Sequence, residues 1–141
     1  MLVVFDLDGT LSDPTHREHF VRRPVGQKDW DSFFAEQIND PPKSAMVELI
    51  SRLHATHQVE IWTGRPIKYR EDTIAWLHAS NIPYYKLRMR PANDKTDDHE
   101  MKRGWCERYG KPDLVFEDRQ RLVDMYRSLG ITCCQVAPGD F

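Results

Sequence analysis

Two aspartates one residue apart, Asp6 and Asp8, close a short apolar run and are followed at once by Gly9, Thr10 and Leu11. Side chains alternate along a strand, so both carboxylates are expected to project on the same side where the strand ends. Gly9 then lets the backbone turn tightly. Two carboxylates converging at a strand end repel each other unless a cation neutralises them or one keeps its proton. Either arrangement serves phosphoryl chemistry. The plain alternative for this hexapeptide alone is a solvated Asp-Gly turn. A helix-flanked calcium loop fits worse, because a strand precedes the motif and the glycine is misplaced.

The elements that must position these residues follow from periodicity. Leu2–Leu7, Val59–Trp62, Tyr84–Met89, Leu114–Phe116 and Ile131–Val136 read as strands. Helices are expected at Lys43–His57 (inward stripe Met46, Val47, Ile50, Leu53, His54), Glu71–Ser80 (Ile74, Leu77, His78), Asp97–Tyr109 (Met101, Trp105, Tyr109) and Arg119–Leu129 (Leu122, Val123, Tyr126, Leu129). Gly110 and Gly130 mark helix ends. Strands alternating with helices predict an α/β fold: a Rossmann-like five-stranded parallel sheet with helices on both faces. Sites in such sheets lie beyond the carboxyl ends of the strands. That rule selects Asp6–Thr10, Thr63–Arg65, the loop after Met89, and Glu117-Asp118. Residues 12–42, rich in charge and aromatics, follow the first strand and would form a small insert, a partial cap over an accessible cleft. Within it Trp30–Ile38 reads as a short helix with Trp30, Phe33, Phe34 and Ile38 on one face.

Taken in order, these residues resemble the haloacid dehalogenase (HAD) superfamily of phosphotransferases. Asp6–Leu11 looks like its first motif, Thr63 like the hydroxyl of the second, Lys102 like the third-motif lysine, and Glu117-Asp118 like the acidic fourth. The chain is more closely similar to the 3′-phosphatase domains of the polynucleotide kinase-phosphatases of T-even bacteriophages. Thr63-Gly64-Arg65, Arg17 eleven residues after Asp6, Asp97-Asp98 with Lys102, and the stretch 114–141 ending in Gln135-Val136-Ala137-Pro138-Gly139-Asp140-Phe141 carry that similarity. It is weakest in the insert. Two departures stand out: no GxxxxGK[ST] phosphate loop, hence no kinase domain among these residues, and Glu117-Asp118 where the family commonly has Asp-Asp.

The resemblance implies a single HAD-like phosphatase domain over residues 1–141, dependent on Mg²⁺, that removes 3′-phosphate from DNA or RNA ends through an aspartyl-phosphate. It assigns Asp6 as nucleophile and Asp8 as general acid and base, the latter starting protonated and so needing a raised pKa. Thr63 and Lys102 would hold phosphoryl oxygens. The metal would be held by Asp6, the backbone carbonyl of Asp8, and Glu117 or Asp118. Arg17, Arg65 and Asp98 are the implied substrate-binding residues; as alternatives, Arg65 pairs with Asp98 to brace its loop and Arg17 is surface charge. A phosphatase of free nucleotides, and a metal- or nucleotide-binding module without turnover, remain the rival readings.

Composition sets the outer limits. The 141 residues (16.6 kDa) are 40% hydrophobic and 30% charged, with 20 Lys and Arg against 22 Asp and Glu, a net charge of −2. That is a globular composition and excludes a strongly basic nucleic-acid-coating protein. No run approaches membrane-spanning length, and Met1–Phe5 is too short for a secretory signal. Cys106, Cys133 and Cys134 show no metal spacing and read as reduced thiols in a cytoplasmic setting, the host cytoplasm if the protein is phage-encoded. Oligomeric state stays open. Lys86, Arg88 and Arg90 either track a phosphate backbone or form a solvated face; Trp30, Phe33 and Phe34 either stack on bases or pack the insert. His16 and His19 read as solvated, and Trp62, Trp76 and Trp105 as core.

Overall fold

The structure, a computed structural model, describes residues 1–139; the Asp140-Phe141 end of the C-terminal resemblance lies outside them. Five parallel strands, β1 (Leu2–Phe5), β2 (Gln58–Pro66), β3 (Lys86–Arg90), β4 (Leu114–Arg119) and β5 (Thr132–Gly139), lie in the order β3-β2-β1-β4-β5. Five helices connect or flank them: α1 (Trp30–Ala35), α2 (Ser44–His54), α3 (Arg70–Ala79), α4 (Asp98–Tyr109) and α5 (Gln120–Ser128). The Rossmann-like α/β expectation is therefore met. The chain first builds outward from β1 through β2 to β3, then crosses to β4 and β5 on the other side. The point where that direction reverses, between β1 and β4, is where open α/β sheets leave a crevice for ligands.

Alternation along the central strand divides the core in two. Val3, Phe5 and Leu7 join Val59, Ile61, Ile50, Trp76 and Leu77 on the face covered by α2 and α3. Val4 joins Trp62, Val115, Met101, Trp105, Leu122, Val123 and Tyr126 under α4 and α5. Each such side chain contributes about 1.5–3 kcal/mol when fully buried. Trp62, Trp76 and Trp105 are core residues as expected. Cys133 is buried and Cys134 exposed, on opposite faces of β5, and all three thiols are free. None of the described helices is long and apolar enough to cross a membrane.

Several element expectations need correction. β1 stops at Phe5, so Asp6 and Asp8 lie beyond the strand; Asp8 forms an isolated bridge with Ser12, and the turn begins at Gly9. β2 does not end at Trp62 but runs to Pro66, with a register irregularity against β3 between Trp62 and Pro66 that sets Thr63 to Arg65 into the site. On α3 the inward residues are Thr73, Trp76 and Leu77; Ile74 and His78 are exposed, because Thr73 is drawn in by polar partners described below. Tyr109 stays at the surface beneath the Arg88 guanidinium, 3.6 Å from its ring centroid. In the insert, α1 ends at Ala35 and passes into a 3-10 turn over Glu36–Asn39. The change of pitch leaves Ile38 exposed and turns Gln37 inward. Phe33 and Phe34 pack with Val21 as a small core of their own, while Trp30 remains 40% exposed.

Candidate active site

The β1–β4 pairing sets Phe5 beside Phe116, and the next backbone N–H, that of Asp6, donates to the Phe116 carbonyl at 3.0 Å. Asp6 thereby meets the Glu117-Asp118 pair at the end of β4. One ligand oxygen from each of Asp6, Glu117 and Asp118 lies within 4.8 Å of the others, and all three residues are buried. Lys102, on the inward face of α4, reaches under this group and donates to Asp6 Oδ1 at 2.7 Å and Glu117 Oε2 at 3.2 Å. Burial disfavours the Lys102 charge, but Asp6 and Glu117 outweigh it and hold its pKa well above the ordinary value.

Three buried carboxylates against one ammonium leave an excess of negative charge. Burial and Glu117 raise Asp6 to about 7, and burial, Asp6 and Glu117 raise Asp118 to about 9. The three oxygen donors and their uncompensated charge fit a hard divalent cation. The two fourth-motif carboxylates are not equivalent. Glu117 is fully engaged, with Oε2 on Lys102 and Oε1 accepting from the backbone N–H groups of Asp118 (3.0 Å) and Arg119 (3.3 Å). The Asp118 carboxylate makes no ion pair among the described residues and has only the Thr10 hydroxyl at 3.5 Å. Gly9 accommodates it: at φ +88°, a Cβ there would stand 2.1 Å from Asp118 Oδ2.

Asp8 belongs to a second, balanced set. Arg65 Nε and one terminal nitrogen approach the Asp8 carboxylate at 3.0 and 2.6 Å, and Arg17 donates to Asp8 Oδ1 at 2.5 Å. Although burial pushes the Asp8 pKa up, the Arg65 and Arg17 charges hold it well below the usual carboxylate range. In the substrate-free protein the two bonded guanidiniums thus override desolvation and favour the ionised carboxylate, whereas the protonated state expected of Asp8 is that of the substrate complex. Both arginines are fully buried, so Arg17 is not surface charge. Arg65 pairs with Asp8 rather than Asp98, whose carboxylate instead lies between Arg90 and Arg119.

Sequence reasoning missed the residues that aim these arginines. Asp40 accepts from Arg17 Nε at 2.7 Å and a terminal nitrogen at 2.6 Å, and also contacts His16 at 2.7 Å. Gln37 and Thr73 both accept from Arg65. Arg17 further donates to the Phe33 carbonyl at 3.1 Å. Most of this frame comes from the insert, and no motif spacing announced it. Only Arg119, directly after Glu117-Asp118, had a sequence position that could have flagged it. Of the three basic residues on β3, Lys86 is exposed, whereas Arg88 bonds Glu60 (2.9 Å) and Arg90 braces Gly64, Asp94, Thr96 and Asp98.

Asp6, Asp8, Thr63, Arg65, Asp98, Lys102 and Glu117 line one pocket, walled on the insert side by Trp30, Phe33 and Phe34. A sheet of this order with a carboxylate triad and lysine at its switch point defines a phosphohydrolase of the HAD type. The chain belongs, over residues 1–141, to the family described as the polynucleotide kinase PNKP phosphatase domain.

The comparisons extend this. The chain is 30% identical over 136 residues to a candidate bifunctional polynucleotide kinase/RNA ligase of Autographa californica nuclear polyhedrosis virus, spanning 92% of this chain and 18% of that protein. It is similar to a chain of the Pnkp1/Rnl/Hen1 RNA repair complex (TM-score 0.79, 28% identity, 99% of this chain and 43% of that one). A chain in another structure of the Pnkp1/Rnl/Hen1 complex gives TM-score 0.82 and 29% identity, over 99% of this chain and 47% of that one. The chain thus spans less than half of each of these three relatives. A haloacid dehalogenase-like hydrolase from Streptococcus pneumoniae shares the fold at TM-score 0.67 and 14% identity, over 95% of this chain and 83% of that one.

Proposed function

We propose that this protein is a Mg²⁺-dependent phosphatase acting on 3′-phosphate at nucleic-acid ends through an aspartyl-phosphate on Asp6. The observation that carries the chemistry is the Asp6 carboxylate, held 2.7 Å from a permanently charged Lys102 beside two further carboxylates at the sheet's switch point. The substrate class rests on family membership and on relatives named for polynucleotide kinase, RNA ligase and RNA repair.

An Asp6 oxygen attacks phosphorus, the ester P–O bond breaks, and the departing oxygen takes a proton from Asp8. Water then attacks the phosphoryl group, returns a proton to Asp8, and releases phosphate and the free Asp6 carboxylate. Because Arg17 and Arg65 hold Asp8 ionised beforehand, the negative charge of the arriving phosphate is what raises its proton affinity. Their donors are already committed, so both arginines serve as positioning residues for Asp8. Lys102 and Thr63 face the phosphoryl oxygens, where charge builds in the transition state. Asp6, Asp118 and the backbone carbonyl of Asp8 would hold the metal, with Glu117 steadying Lys102. When bound, Mg²⁺ supplies charge neutralisation that lets a carboxylate approach a phosphate dianion.

Phosphate release from a 3′-phosphorylated oligonucleotide, a nucleoside 3′-monophosphate and a nucleoside 5′-monophosphate, with Mg²⁺ and with EDTA, tests the reading. Metal-dependent preference for the oligonucleotide is expected, with Asp6→Asn lowering kcat by about 10³-fold or more. Equal or faster release from mononucleotides would transfer the function to nucleotide metabolism. Activity surviving in Asp6→Asn would refute the covalent mechanism.

A further inference from the structure

Beside the catalytic pocket lies a second cleft of about 420 Å³ that the phosphoryl chemistry does not use. The two share Trp30, Phe34, Gly64, Asp98, Arg119 and Leu122, so the cleft opens directly from the place where the phosphate must sit. Its volume is near the small end of the range for small-molecule sites, about 300–1,000 Å³, the scale of one nucleoside rather than a length of polymer.

The walls differ in chemistry. On the insert side, the Trp30 indole is 40% exposed and leans on Phe34, ring centroids 5.9 Å apart, with the Lys28 ammonium 5.7 Å from its centroid. Facing it are residues 94–97, the first residues of α4 and the start of α5. There Asp98 is neutralised by Arg90 and Arg119, and Asp94 is occupied by the Thr96 backbone. Lys95 and Arg121, both exposed at this cleft, have no ion-pair partner among the described residues. An aromatic platform on one side with uncommitted cations on the other is the pairing by which proteins hold an unpaired nucleotide: a base stacks on the ring and a phosphate meets the cations.

We propose that this cleft is the subsite for the 3′-terminal nucleoside, its base stacked on Trp30 and its 5′-side phosphate directed to Lys95 and Arg121. The proposal rests on the phosphatase reading above and deepens it, because it makes the terminal base part of what is recognised. Trp30 was the residue of the insert's aromatic trio that packing did not consume: Phe33 and Phe34 are buried at 1% and 9% exposure.

The test compares two oligonucleotides with 3′-phosphate, one ending in a normal nucleotide and one in an abasic residue. The wild-type protein should show a KM lower by about 5- to 150-fold for the base-bearing end, the range that base–aromatic stacking provides. Trp30→Ala should erase that difference and Trp30→Tyr should retain most of it. A second measurement guards against misfolding of Trp30→Ala: with Asp6→Asn, which retains Trp30, a terminal 2-aminopurine should be quenched on binding. Equal KM for the two ends in the wild type, a preference that survives Trp30→Ala, or unquenched bound 2-aminopurine would each overturn the subsite while leaving the phosphatase intact. No release from either end would instead overturn the phosphatase reading and the subsite with it.

Discussion

Glu117 and Asp118 are adjacent carboxylates and equally buried, yet their surroundings give them different work. Every oxygen of Glu117 has a donor, whereas Asp118 has a long contact to one hydroxyl and no cation among the described residues. A carboxylate left without a partner in a buried site is the one whose charge a metal must meet. Asp118→Ala should therefore remove Mg²⁺ binding altogether. Glu117→Ala, which unties Lys102 rather than removing a ligand, should weaken it by about 10- to 100-fold, the usual size of an outer-shell effect. Titration calorimetry with Mg²⁺ distinguishes them; the opposite ranking would make Glu117 the direct ligand.

Between residue and fold stands the insert, whose short α1 and the 3-10 turn that follows it are more than a cover. Asp40 closes it and anchors three things: the Arg17 guanidinium by two bonds, the His16 ring, and through its backbone carbonyl the Trp76 indole of α3 at 2.9 Å. Removing one member of a buried charge network costs about 3–5 kcal/mol, since the remaining charges stay desolvated. Asp40→Ala should lose stability of that order in urea unfolding, and its kcat should fall by about tenfold or more because Arg17 no longer aims Asp8. Asp40→Asn, which keeps an acceptor, should recover part of both. A stable Asp40→Ala protein with wild-type kcat would show that the insert does not position the site.

At the scale of the whole molecule, the buried carboxylates tie stability to pH and metal. Asp6 and Asp118 have folded-state pKa values of about 7 and about 9, against roughly 3.9 for an unfolded aspartate. The folded state thus binds more protons than the unfolded one, and the metal-free protein loses stability as pH rises through that window. Asp8 runs the other way: its depressed pKa contributes stability present above about pH 3.9 and lost only in stronger acid. In EDTA the melting temperature should be higher at pH 6 than at pH 8. Mg²⁺, which favours the ionised carboxylates, should raise it and narrow the gap. A metal-free melting temperature that increases toward pH 8 would contradict the burial of uncompensated charge at the triad.

What the sequence by itself determined is whatever near neighbours encode. Strand and helix periodicity predicted a five-stranded parallel sheet, and the rule that sites lie past strand ends selected Asp6, Thr63 and Glu117-Asp118. Lys102 was singled out by resemblance to the third-motif lysine, and its inward placement on α4 came from the structure. Tertiary structure alone decided which charges meet. It drew Gln37, Asp40 and Thr73 around arginines 8 to 28 residues away in the chain, and turned Arg65 toward Asp8 and Asp98 toward Arg90 and Arg119. It also separated the acids into one balanced set and one that calls for a cation. No local pattern carries this, because pairing and proton affinity depend on distance and desolvation in the folded state. Both are fixed only when segments remote in sequence close over the same cleft.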